Sequence, residues 1–320
     1  MAERVLVTGA AGFAGSHLVA RLLAERPAPE VVGWRRPRAE GAEPRTVRTG
    51  DGRIAWQEVD VLDRDAVDRA VAELQPGQVY HLAGAAAVAG SWNSRVTTLR
   101  TNTIGTEHLL AALQRSSPAA RVLLPGSALV YRPHDGPLDE NAAIGPVSPY
   151  GLSKLAQEML AARYAADGLA LIRTRSFTHF GPGQDPSYAA SSFARQIARI
   201  EAGAAEPTLR VGDLSARRDL LDVRDTVRAY RALMQRGARG AVYNVCSGSA
   251  HRMRDVLAAL LAQARAPVAV QVDPARLRPS DYALLLGDRG RITADIGWEP
   301  RIGLEETLRD LLDDWRSRLG

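Results

Sequence analysis

The sequence is short of lysine, cysteine and aromatic residues, and each shortage narrows what the chain can be. All but one of its 41 basic residues are arginine, and the exception is Lys154. Phe, Trp and Tyr make up 5% of the chain, which gives no sign of a platform for stacking nucleic-acid bases. The single cysteine, Cys246, excludes an internal disulfide. A lone lysine among so many arginines marks a position that needs an ammonium.

Long apolar runs are also absent. None reaches the roughly 18 residues needed to span a bilayer, and the N-terminus does not resemble a signal peptide. Together with the lone cysteine, this predicts a cytoplasmic protein without a membrane partner. The net charge is +5, but arginines alternate with acids, as in residues 218–228, so we expect no nucleic-acid partner. A mild positive surplus suits a phosphate-bearing substrate instead, and the sequence gives no reason to expect a metal.

Strand-like and helix-like segments alternate over the first 175 residues. This pattern predicts an α/β fold, a Rossmann-type doubly wound parallel sheet, with a smaller C-terminal lobe for the substrate. We assign residues 1–176 and about 218–246 to the Rossmann domain, and 177–217 and 247–320 to the smaller lobe. Loops rich in Gly and Pro are expected to dominate 181–217. The predicted strands include 30–34, 54–61, 78–84, 121–127 and 169–175, and Asp63 is expected to cap a helix over 63–74.

Three glycines follow the first predicted strand and open the first predicted helix. Gly9, Gly12 and Gly15 have the spacing G-x-x-G-x-x-G. Glycines there allow a tight turn and bring backbone amides close to a dinucleotide pyrophosphate. A glycine-rich turn without a ligand is the alternative, but the strand–turn–helix setting favours a cofactor site.

The end of the second predicted strand selects the cofactor. An acid there would bind a ribose 2′-hydroxyl and favour NAD, but the strand ends Trp34-Arg35-Arg36. Two guanidinium groups can pair with a 2′-phosphate, so we predict a preference for NADP(H), with NAD(H) left open. The arginines could alternatively begin an exposed basic loop. At the end of the third strand, Asp60 and Val61 would lie near an adenine edge, although Asp60 could equally cap the next helix.

A second motif carries the candidate chemistry. Tyr150 and Lys154 are four residues apart in a predicted helix, which puts both side chains on one face. We expect Lys154 to lower the pKa of the Tyr150 phenol, which could then exchange a proton with a substrate oxygen. Ser127, at the end of a strand, could donate a hydrogen bond to the same oxygen. An exposed helical pair is the structural alternative.

These motifs resemble the extended short-chain dehydrogenase/reductase family, which includes nucleotide-sugar epimerases, 4,6-dehydratases and 4-keto reductases. The chain is most similar to the reductases of GDP-linked 4-keto-6-deoxy-mannose. The likeness covers almost the whole length and is clearest in residues 174–184, 192–203, 209–230, 240–248, 276–288 and 297–315.

The resemblance implies roles for individual residues. The implied cofactor-binding residues are Gly9, Gly12, Phe13, Ala14, Gly15, Arg35, Arg36, Asp60, Val61, Leu82, Ala83, Tyr150 and Lys154. The implied substrate-binding residues are Ser127, Thr178, His179, Arg218 and Arg278, with the two arginines on the nucleotide; each arginine could instead form a surface ion pair. The resemblance also implies a homodimer that pairs through the helix carrying Tyr150.

The chain departs from the family pattern at several places. Similar 4,6-dehydratases have an acid two positions after the catalytic serine or threonine, where this chain has Leu129 after Ala128. Because eliminating water needs a second acid–base group, this argues against a dehydratase. Alanines stand at 85–87 where the reductases have serines, and Thr178 replaces an asparagine. The sugar pocket is therefore predicted to be more apolar than is usual in the family.

The resemblance and the motifs together predict NADPH-dependent reduction of the C4 keto group of a nucleotide-linked 4-keto-6-deoxyhexose, with GDP as the expected nucleotide. Two alternatives stay open. One is a nucleotide-sugar 4-epimerase that keeps NAD tightly bound and uses the same three catalytic residues. The other is a non-catalytic protein that senses dinucleotides on the same fold.

Overall fold

The computed structural model describes residues 3–37, 54–86, 88–277 and 282–319. The strands are β1 (Arg4–Thr8), β2 (Glu30–Arg35), β3 (Ile54–Glu58), β4 (Gln78–His81), β5 (Arg121–Pro125), β6 (Ala170–Ser176), β7 (Thr178–Phe180), β8 (Thr208–Val211), β9 (Arg217–Asp222), β10 (Val242–Val245), β11 (Ala250–Arg252), β12 (Ala269–Val272) and β13 (Leu284–Leu285). The helices are α1 (Phe13–Leu23), α2 (Arg64–Leu74), α3 (Val88–Ser91), α4 (Arg95–Leu99), α5 (Gly105–Ser116), α6 (Pro149–Ala166), α7 (Ala189–Glu201), α8 (Val223–Arg236), α9 (Met253–Leu261), α10 (Gly290–Ile296) and α11 (Leu304–Leu319). A π-helical turn, Arg100–Ile104, joins α4 to α5.

Seven parallel strands form the main sheet in the order β10-β6-β5-β4-β1-β2-β3. This confirms the predicted doubly wound α/β fold. The order changes direction between β1 and β4, so the chains leaving these two strands diverge and open a crevice at their carboxyl ends. In sheets of this kind, ligands bind at that switch point.

Helices cover both faces of the main sheet. On one face, α1 and α8 bury Leu18, Leu22 and Leu233; on the other, α2 and α5 bury Val67 and Leu109. These positions recur at the spacing of a helix with one apolar side, which is why α1 was predictable from its leucines. The strands between the two layers are buried on both faces and therefore carry nearly continuous apolar runs.

The smaller lobe has a core of its own. β9 pairs with β7, β11 and β13, and β8 pairs separately with β12. Helices α7, α9 and α11 pack together over buried residues that include Phe193, Ile197 and Trp315. The structure departs from the prediction that loops dominate 181–217 in that α7 and β8 occupy nearly half of this segment. Its Gly and Pro residues mislead because they lie mostly in the connections before and after α7.

The chain between 217 and 245 passes from the smaller lobe back to the main sheet. β9 belongs to the smaller sheet, α8 packs against α1, and β10 extends the main sheet beside β6. β9 leads directly into α8, which begins at Val223. The smaller lobe and the main sheet are therefore joined along one continuous stretch of chain.

Three strands are shorter than predicted, and one of them is β5, which ends at Pro125. β3 ends at Glu58 and β4 at His81, which leaves the four residues that follow them in turns at the carboxyl edge of the sheet: Asp60, Val61, Leu82 and Ala83. The predicted cap of α2 is confirmed, since the Asp63 carboxylate accepts a hydrogen bond from Ala66 N at 3.0 Å.

A buried ion pair attaches α6 to the sheet. Arg175 of β6 donates to Glu158 of α6 at 2.7 Å, and both side chains are less than one-tenth exposed. The Arg175 guanidinium also lies 4.8 Å from the ring centre of Tyr131. Removing one partner of such a pair would leave a buried charge uncompensated, so the pair holds α6 to one position on β6.

Within the described ranges, no helix is long and apolar enough to cross a membrane. The same ranges contain no group of three or more His, Cys, Asp or Glu side chains arranged to hold a metal ion.

Candidate active site

The glycine turn lies against the end of β4 at the switch point. Gly9 has φ +65°, and a Cβ added to it would lie 2.7 Å from Ala83 N and 2.8 Å from the Leu82 carbonyl. A Cβ on Gly15 would collide with Gly9 O. Both positions therefore require glycine, and the close approach places Leu82 and Ala83 beside the turn, as the cofactor prediction needs.

The first turn of α1 follows directly. Gly12 caps this helix with no side-chain hydrogen bond, so the cap residue itself does not cover the amides of Phe13, Ala14 and Gly15. A helix N-terminus opened by glycines is suited to a pyrophosphate, because backbone amides and the helix dipole both favour the anion. These residues fit a dinucleotide.

The two arginines at the end of β2 differ in what they contact. Arg35 pairs with Glu58 at 3.0 Å and lies 5.7 Å from the ring centre of Trp56. Arg36 follows the strand and is exposed. Arg36 is therefore the guanidinium more available to a ligand phosphate, since part of the Arg35 charge is balanced by β3.

Asp60 does not cap the helix that follows. Its carboxylate accepts a hydrogen bond from Leu62 N at 2.9 Å, while Asp63 provides the cap. Val61 is buried, and its carbonyl is 3.0 Å from His108 Nδ1. The turn after β3 is thus fixed both within itself and against α5.

The structure brings Ser127, Tyr150 and Lys154 together beside β5. Ser127 follows this strand and accepts a hydrogen bond from Leu129 N at 3.1 Å, and its hydroxyl lies near enough to the Tyr150 phenol to lower the pKa of that phenol. Tyr150 lies in the first turn of α6, which begins after Ser148 caps it by accepting from Gly151 N at 3.1 Å. The strand end and the helix start therefore meet at the two hydroxyl groups.

We expected Lys154 to lower the pKa of Tyr150, but in the ligand-free chain this pKa is raised. Burial raises the pKa of Tyr150 above its ordinary value and the Tyr188 phenol adds to this, while the neighbouring Ser127 hydroxyl opposes it. The Lys154 ammonium donates to Pro125 O at 3.0 Å and to Gln157 Oε1 at 2.7 Å. Burial lowers the pKa of Lys154 to about 8.

Sequence reasoning missed several polar residues of this region. Asn102, in the π-helical turn, binds both backbone groups of Ala85 and donates to Ser153 Oγ at 2.9 Å. The Tyr188 phenol donates to Ala86 O at 3.3 Å, from the smaller lobe to the turn beyond β4. No sequence spacing pointed to either residue, because each contact joins segments that are distant in the chain.

Three of the residues predicted to bind substrate, Thr178, His179 and Arg218, lie in the smaller lobe. Thr178 and His179 belong to β7, and the His179 ring stacks on Phe13 with centroids 6.0 Å apart. Arg218 donates to Arg217 O at 2.9 Å and to Tyr282 O at 2.8 Å. Arg278 lies outside the described residues. Through Phe13, His179 thus contacts the glycine turn.

The apolar departures from the family pattern have structural partners. Ala128 is buried, and Leu129 packs against the cluster that contains Tyr131 and Phe177. Asn102 fixes the backbone of Ala85, whereas Ala87 is outside the described residues. A leucine held in an apolar cluster cannot serve as an acid or a base.

Comparison with known proteins agrees with this geometry. The family model described as GDP-mannose 4,6 dehydratase matches residues 6–311. The GDP-6-deoxy-D-mannose reductase of Pseudomonas aeruginosa is 35% identical, over 100% of this chain and 99% of its own.

The chain belongs to the GDP-mannose 4,6-dehydratase family.

Solved structures place this family member among the extended short-chain dehydrogenases/reductases. The structure of RMD from Pseudomonas aeruginosa complexed with NADPH has a TM-score of 0.84 at 32% identity and covers 99% of both chains. The UDP-glucose 4-epimerase of Thermus thermophilus, in complex with NAD, has a TM-score of 0.84 at 30% identity, covering 98% of this chain and 99% of that one. The chain is therefore an NAD(P)-dependent enzyme of this type, and a nicotinamide dinucleotide is its cofactor.

A buried histidine lies at the base of the site in this family member. His81 Nδ1 is 2.8 Å from Thr8 Oγ1, and its Nε2 is 2.9 Å from Thr106 Oγ1. Burial lowers the pKa of His81 to about 3, and the charge of Lys154 adds to the effect. The imidazole is therefore neutral over the physiological range.

This histidine should make stability depend on pH. Because its pKa is lower in the folded chain than in the unfolded chain, its contribution is present above about pH 6.5 and is lost as the pH falls. We expect the difference in unfolding free energy between wild type and His81→Gln to shrink by about 2 kcal/mol from pH 7.5 to 5.0. Urea unfolding at both pH values measures this. The exposed His134, replaced in the same way, should show no such change, and a constant difference for His81→Gln would contradict the assignment.

Proposed function

We propose that the chain reduces the C4 keto group of a nucleotide-linked 4-keto-6-deoxyhexose with NADPH, and that the nucleotide is GDP. The observation that carries the proposal is the placement of the Ser127 and Tyr150 hydroxyl groups near each other beside the switch point, with Leu129 where a dehydratase would need an acid. Similarity to a GDP-6-deoxy-D-mannose reductase over the full length supports the same reaction class.

The residues divide the reduction among them. NADPH, when bound at the glycine turn, would supply the hydride that C4 needs. The Tyr150 phenol gives its proton to the C4 oxygen, so that a hydroxyl group forms. Ser127 donates a hydrogen bond to that oxygen and polarises the carbonyl. Lys154 binds the nicotinamide ribose and stabilises the phenolate that Tyr150 leaves behind.

A basic groove in the smaller lobe fits the nucleotide end of the substrate. It has a volume of about 520 Å³ and lies between α7, β8 and β12. Four of its lining residues are arginines: Arg195, Arg199, Arg210 and Arg276. We propose that this groove and Arg218 receive the nucleoside diphosphate, since guanidinium groups bind phosphate oxygens in pairs. Pro186 and Ser192 line the same groove and flank Tyr188, which lies beside Tyr150.

A nucleotide-sugar 4-epimerase is the second candidate, favoured by the close fold of the Thermus thermophilus enzyme. It would use Ser127, Tyr150 and Lys154 to oxidise C4 and then reduce it, keeping NAD bound throughout. The exposed Arg36 and the absence of an acid at the end of β2 favour NADP(H) instead. Copurified NAD would support the epimerase, and exchangeable NADPH the reductase.

The reaction is tested by NADPH oxidation, followed at 340 nm, with GDP-4-keto-6-deoxy-mannose generated in place by a dehydratase. We expect wild-type turnover and a loss of at least about a hundredfold in Tyr150→Phe, because the variant cannot give the proton. NADPH affinity should change little. Tyr164→Phe is the matched control: its hydroxyl bonds Glu107 at 2.8 Å, away from the site.

Each contrary result has a separate meaning. Turnover retained by Tyr150→Phe would refute the catalytic assignment. No turnover by the wild type, with NADPH binding intact, would refute the sugar assignment but not the cofactor, and UDP- and dTDP-linked keto sugars would then be tested in the same assay.

The cofactor preference depends on Arg36. We expect Arg36→Ala to weaken NADPH binding by roughly 10- to 100-fold, because a charge-assisted hydrogen bond to the 2′-phosphate is lost. NADH binding should stay within about twofold, which makes NADH an internal control. Titration of each cofactor by fluorescence or calorimetry measures both. An NADH preference in the wild type would exclude the proposed selectivity.

We also propose a homodimer. Large apolar side chains are exposed along α4, the π-helical turn and α6: Leu99 at 44%, Ile104 at 43%, Leu152 at 54% and Met159 at 64%. A second copy related by a two-fold axis would cover this face with the same face of its own.

Introducing a charge on this apolar face should separate the subunits. We expect the wild type to sediment as a dimer at micromolar concentration, and Met159→Glu to shift it toward monomer because two carboxylates would be buried at the interface. Met159→Leu should remain dimeric. A monomeric wild type would refute the proposal.

A further inference from the structure

The only lysine of the chain is held by a glutamine one turn further along α6. Lys154 Nζ donates to Gln157 Oε1 at 2.7 Å and to Pro125 O at 3.0 Å. Gln157 is completely buried. The ammonium is thus held between a side chain of its own helix and the last residue of β5.

The orientation of the Gln157 amide follows from its other partner. Thr106 donates its one hydroxyl proton to Asn102 O at 2.8 Å, so it can only accept from Gln157 Nε2 at 2.7 Å and from His81 Nε2 at 2.9 Å. With the amide nitrogen bonded to Thr106, the carbonyl oxygen must face Lys154. The reversed amide would point its N–H groups at the ammonium and leave two oxygens facing each other at Thr106.

The chain of hydrogen bonds continues to the strand that carries the glycine turn. Since His81 Nε2 is the donor to Thr106, its Nδ1 accepts from Thr8 Oγ1 at 2.8 Å. Thr8 Oγ1 in turn accepts a hydrogen bond from Ala83 N at 3.0 Å. Thr8 is the residue directly before Gly9 in the chain. Every side chain in this chain of bonds is less than one-tenth exposed.

We propose that Gln157 is a positioning residue for Lys154. Its side-chain oxygen accepts a hydrogen bond from the ammonium and, through Thr106, His81 and Thr8, holds that ammonium at a fixed place relative to the glycine turn. The proposal rests on the function proposed above, in which Lys154 serves Tyr150 and the nicotinamide ribose.

The orientation of the Gln157 amide affects the protonation of Lys154. A carbonyl oxygen that accepts from an ammonium favours the charged form, and so opposes the lowering of the Lys154 pKa by burial. The other titratable groups around the lysine are Tyr150 on α6 and His81 on β4, with the Arg175–Glu158 ion pair further along α6. Gln157 differs from these groups because it is uncharged, so its contact with Lys154 can be removed without changing a charge.

Because the chain has one lysine, its pKa can be measured directly. Growth on lysine labelled with ¹³C at Cε gives a single side-chain signal, which is titrated by NMR in the ligand-free full-length chain. We expect Gln157→Met to lower the pKa of Lys154 by roughly one to two pH units, since a hydrogen bond to a charged group is lost. Gln157→Glu should raise it, because a carboxylate then faces the ammonium.

The matched control is Gln263→Met on the outside of the smaller lobe. Gln263 donates only to Ala259 O, at 3.1 Å, among the side-chain bonds of the described residues, and its replacement should leave the Lys154 pKa unchanged. An unmoved pKa in Gln157→Met would overturn the proposal. So would an equal lowering by Met and Glu, since that would report packing alone.

A second variant covers the case in which Gln157→Met does not fold, as judged by circular dichroism. Thr106→Val keeps the shape of the side chain but frees the Gln157 amide from its anchor. We expect a smaller lowering of the Lys154 pKa in the same direction. No change in this variant would also overturn the proposal.

Turnover gives a separate reading. The alkaline limb of the kcat profile should move to lower pH in Gln157→Met, in step with the measured pKa of Lys154. If the substrate assignment is wrong, the wild type shows no turnover, but the NMR titration of Lys154 can still be carried out. If the positioning role is wrong, the wild type is active and the pKa of Lys154 does not change in Gln157→Met.

Discussion

The close contact between the glycine turn and the end of β4 is the constraint on which the site depends. Gly9 approaches Ala83 N so closely that a side chain would not fit. The contact sets the distance between β1 and β4 where the strand order changes direction, and so sets the width of the crevice. Phe13, which starts α1 directly after this turn, carries the contact on to His179 of the smaller lobe. One close approach of backbone segments therefore positions the glycine turn, the main sheet and the smaller lobe relative to one another.

Beneath that contact the interior is polar, which is unusual for the centre of a parallel sheet. Thr8, His81, Thr106 and Gln157 are buried side by side, and each has partners for its donors and acceptors. A network of this kind costs little only when every member is satisfied, because an unpaired buried group loses its hydration without compensation. It therefore favours one arrangement of its strands and helices. This rigidity helps to keep the Lys154 ammonium, which bonds to Gln157, in one position.

The sequence predicted the parts of the site that depend on local order. The glycine turn, the cap at Asp63 and the pairing of Tyr150 with Ser127 all follow from residues close to strand or helix ends. Asn102 and Tyr188 escaped prediction because their partners are distant in the chain and no spacing reveals them. Gln157 lies only three residues from Lys154, but the bond to Thr106 that orients its amide joins segments 51 residues apart. The helix α7 was missed because prolines and glycines at its borders outweighed the apolar period of Phe193 and Ile197. The predicted direction of the Tyr150 pKa shift was wrong because burial, which a sequence does not show, has a larger effect on this pKa than any neighbouring group.

The raised pKa of Tyr150 bears on the direction of the chemistry. A phenol held in its protonated form can give a proton to an oxygen that has just received a hydride, which is the order of events in a reduction. An epimerase of this family must begin by taking a proton from a sugar hydroxyl, and for that it needs the phenolate. In this chain the Lys154 ammonium is bonded to Pro125 and Gln157, while Tyr188 and burial favour the neutral phenol. Burial and Tyr188 thus keep the phenol in its protonated form in the ligand-free chain, which is the form that gives a proton in a reduction.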